Sequence, residues 1–584
     1  MRLGESSVVA SGLFVLLRVS CRCIRERPTA FTRVIHRIAR RRGGRPSVDR
    51  SRRRVFSPRS SSSRSVAVRM TRASRASRTT RWWVSLVMMM MTLTLTTTTA
   101  SETTGERDVL EDVVLTFERW VRAPASASTR GARVSDGARV VATTRGAGRG
   151  VAATRNISVG ELLVDVPLEK CVSVASARDD RELWRAIEGR EMSVDVILAT
   201  HVLREAFGKR RRSAFWPWLR LLPRDVDSTV GWTESELDEL TGSNAVTFTR
   251  AIVARWKEDF DALDAATLAE RHPDVFGGEH ASYFTLEKFT WARFIVWSRA
   301  IDLNLGKGGG EEDAFRVLVP FLDMANHAPS GKLHPRWDAN ANAVKVYAAS
   351  EFRENTELRF NYGDKPSQYF LLQYGFLPER NPSDCVEATV RVDERDSLRE
   401  QKERLLLRHG LDPRTRNFQW KHVGLDYDLI AATRIVMMDE SEIDDDTSVA
   451  LAVSGASVSA KNDARTKAVL LKSLSGFLGG YKTTLGEDNH YVARSSDESS
   501  DEPFPGKRKR FAVMLRMTEK RILLSSADAV FKEFPDEDED LVKSTCEEIF
   551  SVEVDECMKR AGGAKFSSFG KRPASKDEES RAEL

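Results

Sequence analysis

Val319-Pro320-Phe321-Leu322-Asp323-Met324-Ala325-Asn326-His327, then Phe360-Asn361-Tyr362-Gly363-Asp364-Lys365-Pro366-Ser367, then Leu371-Leu372-Gln373-Tyr374-Gly375-Phe376: these three linked segments decide how the chain folds. Strand character precedes the first at Arg316 to Pro320 and the second at Glu357 to Asn361, with a further short strand at Val344 to Ala348. Tyr362 therefore falls at the end of a strand. Upstream of these strands, Gly306 to Glu312 is a loop rich in glycine and acid.

Working outward, residues 183 to 295 read as mainly helical, with apolar positions at i, i+3 and i+4 over 195 to 206 and 286 to 301. Period-two segments at 138 to 145, 150 to 155 and 161 to 166 predict short strands, separated by Gly146 to Gly150 and Asn156 to Gly160. Because that glycine cluster lies between strands, it does not fit a dinucleotide cradle, which needs a helix directly after it. A short amphipathic helix over Asp108 to Val121 opens the body. Beyond about residue 392 helices dominate, interrupted at Asp439 to Asp446 and at Arg494 to Arg510. The second interruption runs from acidic Asp497 to Glu502 into basic Lys507 to Arg510; it reads as a solvated loop, with a nuclear import signal as the rarer use. The class is α+β: short strands with a helical insertion, then a mostly α-helical C-terminal domain.

Charge is divided unevenly along the 584 residues. The first 100 carry 22 Arg, no Lys and three acids, a net +19, whereas the rest carry 69 basic against 82 acidic residues, a net −13. The overall +6 is thus a property of the N-terminal extension, and net charge gives no basis for a nucleic-acid surface on the body. The extension is rich in Arg and Ser, and the apolar run Trp82 to Leu95, at about 14 residues, is too short to span a bilayer. It matches one long organellar transit peptide, a two-part plastid signal or, if translation starts at Met70, a secretory signal cleaved near Ala100, with a nucleic-acid-binding arm as the rarer reading of the Arg-rich part. The six cysteines, Cys21, Cys23, Cys171, Cys385, Cys546 and Cys557, include no C-x-x-C pair, so a disulfide framework or zinc knuckle is not expected.

Six segments, in order, resemble the SET-domain protein methyltransferases of the Rubisco large-subunit lysine methyltransferase class. They are Gly148 to Ile157 with Gly160 to Pro167; Trp216 to Pro223 with Asp227 to Thr229 and Trp232 to Leu237; Trp297 to Ala300; Val319 to His327; Phe360 to Phe376; and Tyr481 to Asp488 with Glu519 to Leu523. The resemblance covers about residues 108 to 535. It implies a targeting extension at 1–105, a SET domain in two parts at 106–180 and 286–385 around a helical insertion at 181–285, and a helical substrate-binding domain at 386–584. No metal is implied.

The resemblance also implies the chemistry, which is transfer of a methyl group from S-adenosylmethionine (AdoMet) to a protein lysine. An ordinary lysine is neutral in only roughly 1 molecule in 2,500 at pH 7, so an enzyme must desolvate the amine as well as align it. Tyr362 corresponds to the catalytic phenol and Tyr374 to a tyrosine lining the lysine channel. Arg299 corresponds to the arginine pairing with the cofactor carboxylate, Asn326 and His327 to the Asn-His pair at the cofactor, and Gly148, Arg149 and Gly150 to its backbone cradle. Ala147, where relatives often carry an acid, and Pro366, within the run after Tyr362, depart from the pattern. An actin-histidine methyltransferase in the wider class carries an asparagine two positions after its arginine and lacks the second channel aromatic. Here those positions are Ile301 and Tyr374, which favours lysine. The acceptors the resemblance suggests are the Rubisco large subunit or a plastid aldolase; the competing readings are a histidine methyltransferase and a catalytically silent adaptor.

Overall fold

The computed structural model describes residues 111–124, 131–142, 148–277, 282–304, 314–494 and 505–534. The extension, the loop at Gly306 to Glu312, Ala147 and the acidic run Asp497 to Glu502 lie outside them. The chain divides into two units, Met1–Arg119 and Trp120–Leu584. In the first, residues 111–119 are helical, with Val113, Val114 and Phe117 buried at the expected spacing.

The second unit is built from small antiparallel sheets. The short β1 (Arg133–Val134) is not predicted by the alternation, whereas β2 (Ala138–Ala142), β3 (Arg149–Ala153) and β4 (Leu162–Pro167) fall within one residue of where it starts them, residues 143–145 of the first expected segment lying outside the described residues. β5 (Ile301–Asn304) pairs with β6 (Ala314–Val317), while β7 (Leu333–Asp338) and β8 (Ala343–Ala348) join β1 and β4 in one sheet of order β1-β4-β8-β7. Among the described residues β2 pairs only with β3. Burying Val or Leu side chains such as Leu163, Val164, Val344 and Val346 stabilises this core by about 1.5–3 kcal/mol each.

The strand expected at Glu357 to Asn361 does not form. The segment makes single bridges to two different neighbours, Glu357 to Ala152 and Phe360 to His327. Leu358 N donates to Val151 O at 2.7 Å and Phe360 N to Asn326 O at 2.9 Å. A ladder needs consecutive pairs with one partner, whereas this segment changes partner within three residues; its apolar pattern reflects burial between two neighbours. Gly331 allows the crossing, since a Cβ there would meet Asn361 N at 2.5 Å.

Helices α1 (Val194–Leu203), α2 (Asn244–Leu263) and α3 (Leu286–Arg299) form most of the insertion and its return, and α4 (Ser367–Tyr374) closes the site. Pro366 precedes α4 without supplying a side-chain cap; Asp384 does so from a distance, accepting from Ser367 N at 2.7 Å. Gly375 ends α4 with φ +77, and a Cβ there would meet the Asp227 carbonyl carbon at 2.7 Å, so glycine is required twice over.

The C-terminal part pairs β9 (Cys385–Ala388) with β10 (Phe418–Lys421). It packs α5 (Tyr427–Val436), α6 (Ala460–Gly480) and α8 (Pro505–Glu533) around Trp420, Phe418, Ile430, Ile435 and Leu523, while α7 (Leu485–Arg494) is tied to α8 by Asp488, which pairs with Arg516 and Lys520. The acidic stretch Asp439 to Asp446 interrupts helices by capping them: Asp439 accepts from Glu442 N, and Asp445 from Thr447 N and Ser448 N. The basic run Lys507 to Arg510, read as loop, is the first turns of α8. Arg508 pairs with Glu236 at 2.9 Å, Lys509 with Glu239 at 2.8 Å and Lys507 with Asp227 at 3.5 Å, so these charges tie α8 to the insertion. None of the helices among the described residues is long and apolar enough to cross a membrane.

Candidate active site

α3 ends at Arg299, and that end delivers the first site residue. Its Nη1 donates to Asp323 O at 2.6 Å and stands 3.4 Å from Asp323 Oδ2, which also accepts from Trp218 Nε1 at 2.9 Å. Burial raises the Asp323 carboxyl above its ordinary range, against the opposing pull of Arg299 and Trp218. Arg299 Nε and Asp323 Oδ1 are both buried without a hydrogen-bond partner among the described residues.

Asn326 joins the glycine-rich strand to the crossing segment. Its Nδ2 donates to Arg149 O at 2.8 Å and to Glu357 Oε1 at 2.7 Å, so both amide protons are committed and Oδ1 is what the side chain can offer a ligand. The Arg149 guanidinium reaches Leu221 O in the insertion. Burial, and then the nearby Arg299, lower its pKa. Gly148 has φ +71 and Gly150 lies buried in β3 opposite Val141. Asn326 and the Leu221 carbonyl thus fix Arg149 at its backbone and its side chain.

His327 Nδ1 accepts from Tyr362 N at 3.1 Å, which leaves the proton of the neutral ring on Nε2, a buried atom without a partner among the described residues. Its ring lies 4.4 Å from Phe370 and 5.3 Å from Tyr362, and burial, helped by Lys365, lowers its pKa to about 4. It is a neutral imidazole that positions Tyr362.

The two tyrosines meet. Their ring centroids are 4.8 Å apart, and both residues keep partial exposure. Tyr362 OH donates to Ala325 O at 2.7 Å, and burial pushes the phenol up to about 12. Burial also raises Tyr374, further increased by Tyr362. Ile301 opens β5 opposite Val317 and is partly buried.

Sequence reading assigned no role to Asp323, Trp218, Glu357, Lys365 or Gln373. Four lie inside the quoted motifs, and Glu357 begins the segment that leads to Tyr362, so the signal was proximity alone. Lys365 Nζ stands 2.9 Å from the Tyr374 hydroxyl and 2.8 Å from Gln373 Oε1, and Gln373 Nε2 donates to Trp297 O at 2.7 Å. Elsewhere, buried Asp180, His201 and Glu205 could bring three metal-ligand atoms within 4.8 Å of one another, but Arg204 and Lys209 already bond the carboxylates.

Small antiparallel sheets around a crossing segment, followed by a helical C-terminal part, are the arrangement of solved SET-domain structures. The SET domain of LSMT bound to lysine and AdoHcy superposes with TM-score 0.57 at 20% identity, covering 73% of this chain and 92% of that one. Rubisco LSMT bound to AdoMet does so with TM-score 0.56 at 19% identity, covering 76% and 99%. Residues 393–523 match the Rubisco LSMT substrate-binding family, so the chain is a SET-fold protein carrying that C-terminal domain. By sequence it is 27% identical over 395 residues to the actin-histidine N-methyltransferases of Canis lupus familiaris and Homo sapiens. Those alignments cover 64% of this chain and 63% and 62% of the relatives, so the chain spans just under two thirds of their length.

Proposed function

We propose that this chain is an AdoMet-dependent protein methyltransferase whose acceptor is a lysine of a folded protein. The observation that carries this reading is the pair of phenols, Tyr362 and Tyr374, with ring centroids 4.8 Å apart and the Tyr362 hydroxyl bonded to Ala325 O, next to Asn326 in the chain. The donor set suits AdoMet: the buried Arg299 Nε has no partner among the described residues, and a guanidinium edge matches a carboxylate. When bound, AdoMet supplies a methyl group activated by its sulfonium.

The chain's own residues supply alignment and desolvation. Tyr362 keeps its proton on Ala325 O and so presents its oxygen lone pairs to an amine N–H. Tyr374 is likewise held neutral. Two neutral rings enclosing the acceptor disfavour its ammonium form, so the amine loses its proton on entry. His327 takes no proton in this scheme, because its Nδ1 is committed to Tyr362 N.

The relatives matched by sequence are named for histidine, while the SET domain matched by fold holds lysine. Ile301 and Tyr374 support lysine. An isoleucine offers no hydrogen bond to a ring nitrogen, and an unsatisfied buried polar atom costs about 1–3 kcal/mol. Tyr374 instead encloses an aliphatic stem. The Rubisco large subunit or a plastid aldolase would be the acceptor, and the +19 extension would direct the protein to the plastid, with secretion from Met70 as the other route. Labelled AdoMet and a plastid extract, followed by tandem mass spectrometry, test the reading. Methyl groups on lysine are expected; methylation confined to histidine would overturn the acceptor. A chain giving no heat on AdoMet titration would be an adaptor.

A further inference from the structure

Lys365 has the surroundings that a lysine acceptor requires. Its amine stands 2.9 Å from the hydroxyl of the channel tyrosine Tyr374 and 5.0 Å from the centre of that ring. The other neighbour is neutral: Gln373 Oε1 at 2.8 Å, held in place because the Gln373 amide is bonded to Trp297 O. No carboxylate pairs with Lys365 among the described residues, although most other enclosed basic groups near the site have one, including Arg299 on Asp323 and Arg316 on Asp195 and Asp302. The residue lies three positions after Tyr362, on the segment that leads into α4, and its backbone carbonyl is fixed by Asn381 Nδ2 at 2.8 Å.

We propose that Lys365 is a methyl acceptor of this chain's own reaction, modified within the same molecule. The inference rests on the methyltransferase reading above. The Lys365 Nζ lone pair forms the new N–C bond while the C–S bond of AdoMet breaks; its electron pair stays on sulfur, AdoHcy leaves, and the surplus proton on nitrogen passes to solvent. Only AdoMet is needed as co-reactant.

Three features of the site support it. The Tyr374 ring that Lys365 touches is in direct contact with the Tyr362 ring, so the amine waits one ring away from the Tyr362 phenol. Four rotatable methylenes allow it to cover that distance while its backbone stays anchored. Burial, then the Arg316 cation, outweigh Asp302 and bring the Lys365 amine down to about 7, so far more of it is neutral at pH 7 than the roughly 1 part in 2,500 of an ordinary lysine. A neutral amine on a phenol is the nucleophilic form, whereas an ion-paired lysine is not.

The test uses the full chain with methyl-deuterated AdoMet and no added protein, with tandem mass spectrometry of the lysine peptides and a parallel calorimetric titration with AdoMet. Label on Lys365 is expected, blocked by AdoHcy, with a rate constant unchanged over a tenfold range of chain concentration. Lys365→Arg should bind AdoMet and carry no label at that position, which shows that the assignment is not a neighbouring lysine. AdoMet heat with Lys365 unlabelled would overturn the inference and leave the methyltransferase reading standing, as would a rate that rises with chain concentration. Absence of AdoMet heat would instead remove the methyltransferase reading, and this inference with it.

Discussion

Tyr362 and Tyr374 come from different elements, the crossing segment and the last turn of α4, yet their rings lie 4.8 Å apart with planes tilted by 40°. Both are held by neighbours that leave little freedom: Tyr362 by Ala325 O and His327 Nδ1, and Tyr374 by the left-handed Gly375 that follows it.

Tyr362→Phe should lower turnover at least tenfold, about 1.4 kcal/mol per factor of ten, with AdoMet affinity nearly unchanged. The variant also leaves Ala325 O without its donor, so a stability loss of about 1 kcal/mol should accompany it. Turnover is compared with a calorimetric Kd and a urea midpoint. Wild-type turnover would remove Tyr362 from the chemistry.

Arg299→Ala should weaken AdoMet binding by roughly 1.5–3 kcal/mol. From sequence the effect on folding looks small, but the geometry says otherwise: among the described residues Asp323 would keep only Trp218 as a side-chain donor, and a buried carboxylate stripped of its cation is costly. Arg299→Lys should recover part of the stability through charge and less of the affinity, since an ammonium is not bidentate. Equal AdoMet Kd values in wild type and Arg299→Ala would contradict the assignment.

Glu519 on α8 predicts a pH dependence of stability. Its carboxylate accepts from Ser243 OH at 2.7 Å and Tyr481 OH at 3.0 Å, joining the insertion to the C-terminal domain. Burial raises its pKa from 4.5 to about 7 despite both donors. Between those values the folded chain binds more protons than the unfolded one, so this group's contribution declines as pH rises from 4.5 to about 7 and stays low above that. Glu519→Gln should remove the decline and be more stable than wild type at pH 8 by an amount of order 1–3 kcal/mol. Matching urea midpoints for the two chains at both pH 5 and pH 8 would refute it.

Arg508 tests the docking of α8. It bonds Glu236 at 2.9 Å and the carbonyls of Gly231 and Val226 at 3.2 Å each. Arg508→Ala should destabilise by about 1–2 kcal/mol, and a double-mutant cycle with Glu236→Ala should give a coupling of about 0.5–1 kcal/mol. A coupling near zero would mean that the pair does not hold the helix.

The sequence by itself determined the elements whose pattern is local. The alternation of β3, β4 and β8 and the helical spacing of α1 and α3 are visible because each needs only one buried face, and side-chain polarity records that face directly. The order of the motifs also brought Arg299, Asn326, His327, Tyr362 and Tyr374 into view as one group. What only the tertiary structure decided are pairings between residues far apart in the chain. The segment from Glu357 to Asn361 reads as a strand but bridges two neighbours in turn. Lys507 to Arg510 reads as a solvated loop but begins α8, because Asp227, Glu236 and Glu239 lie opposite. Lys365 is given no role by its place in the sequence, yet its amine is on the Tyr374 hydroxyl. Charge and polarity say what a side chain needs; which distant group supplies it depends on how the backbone crosses, and composition does not record that.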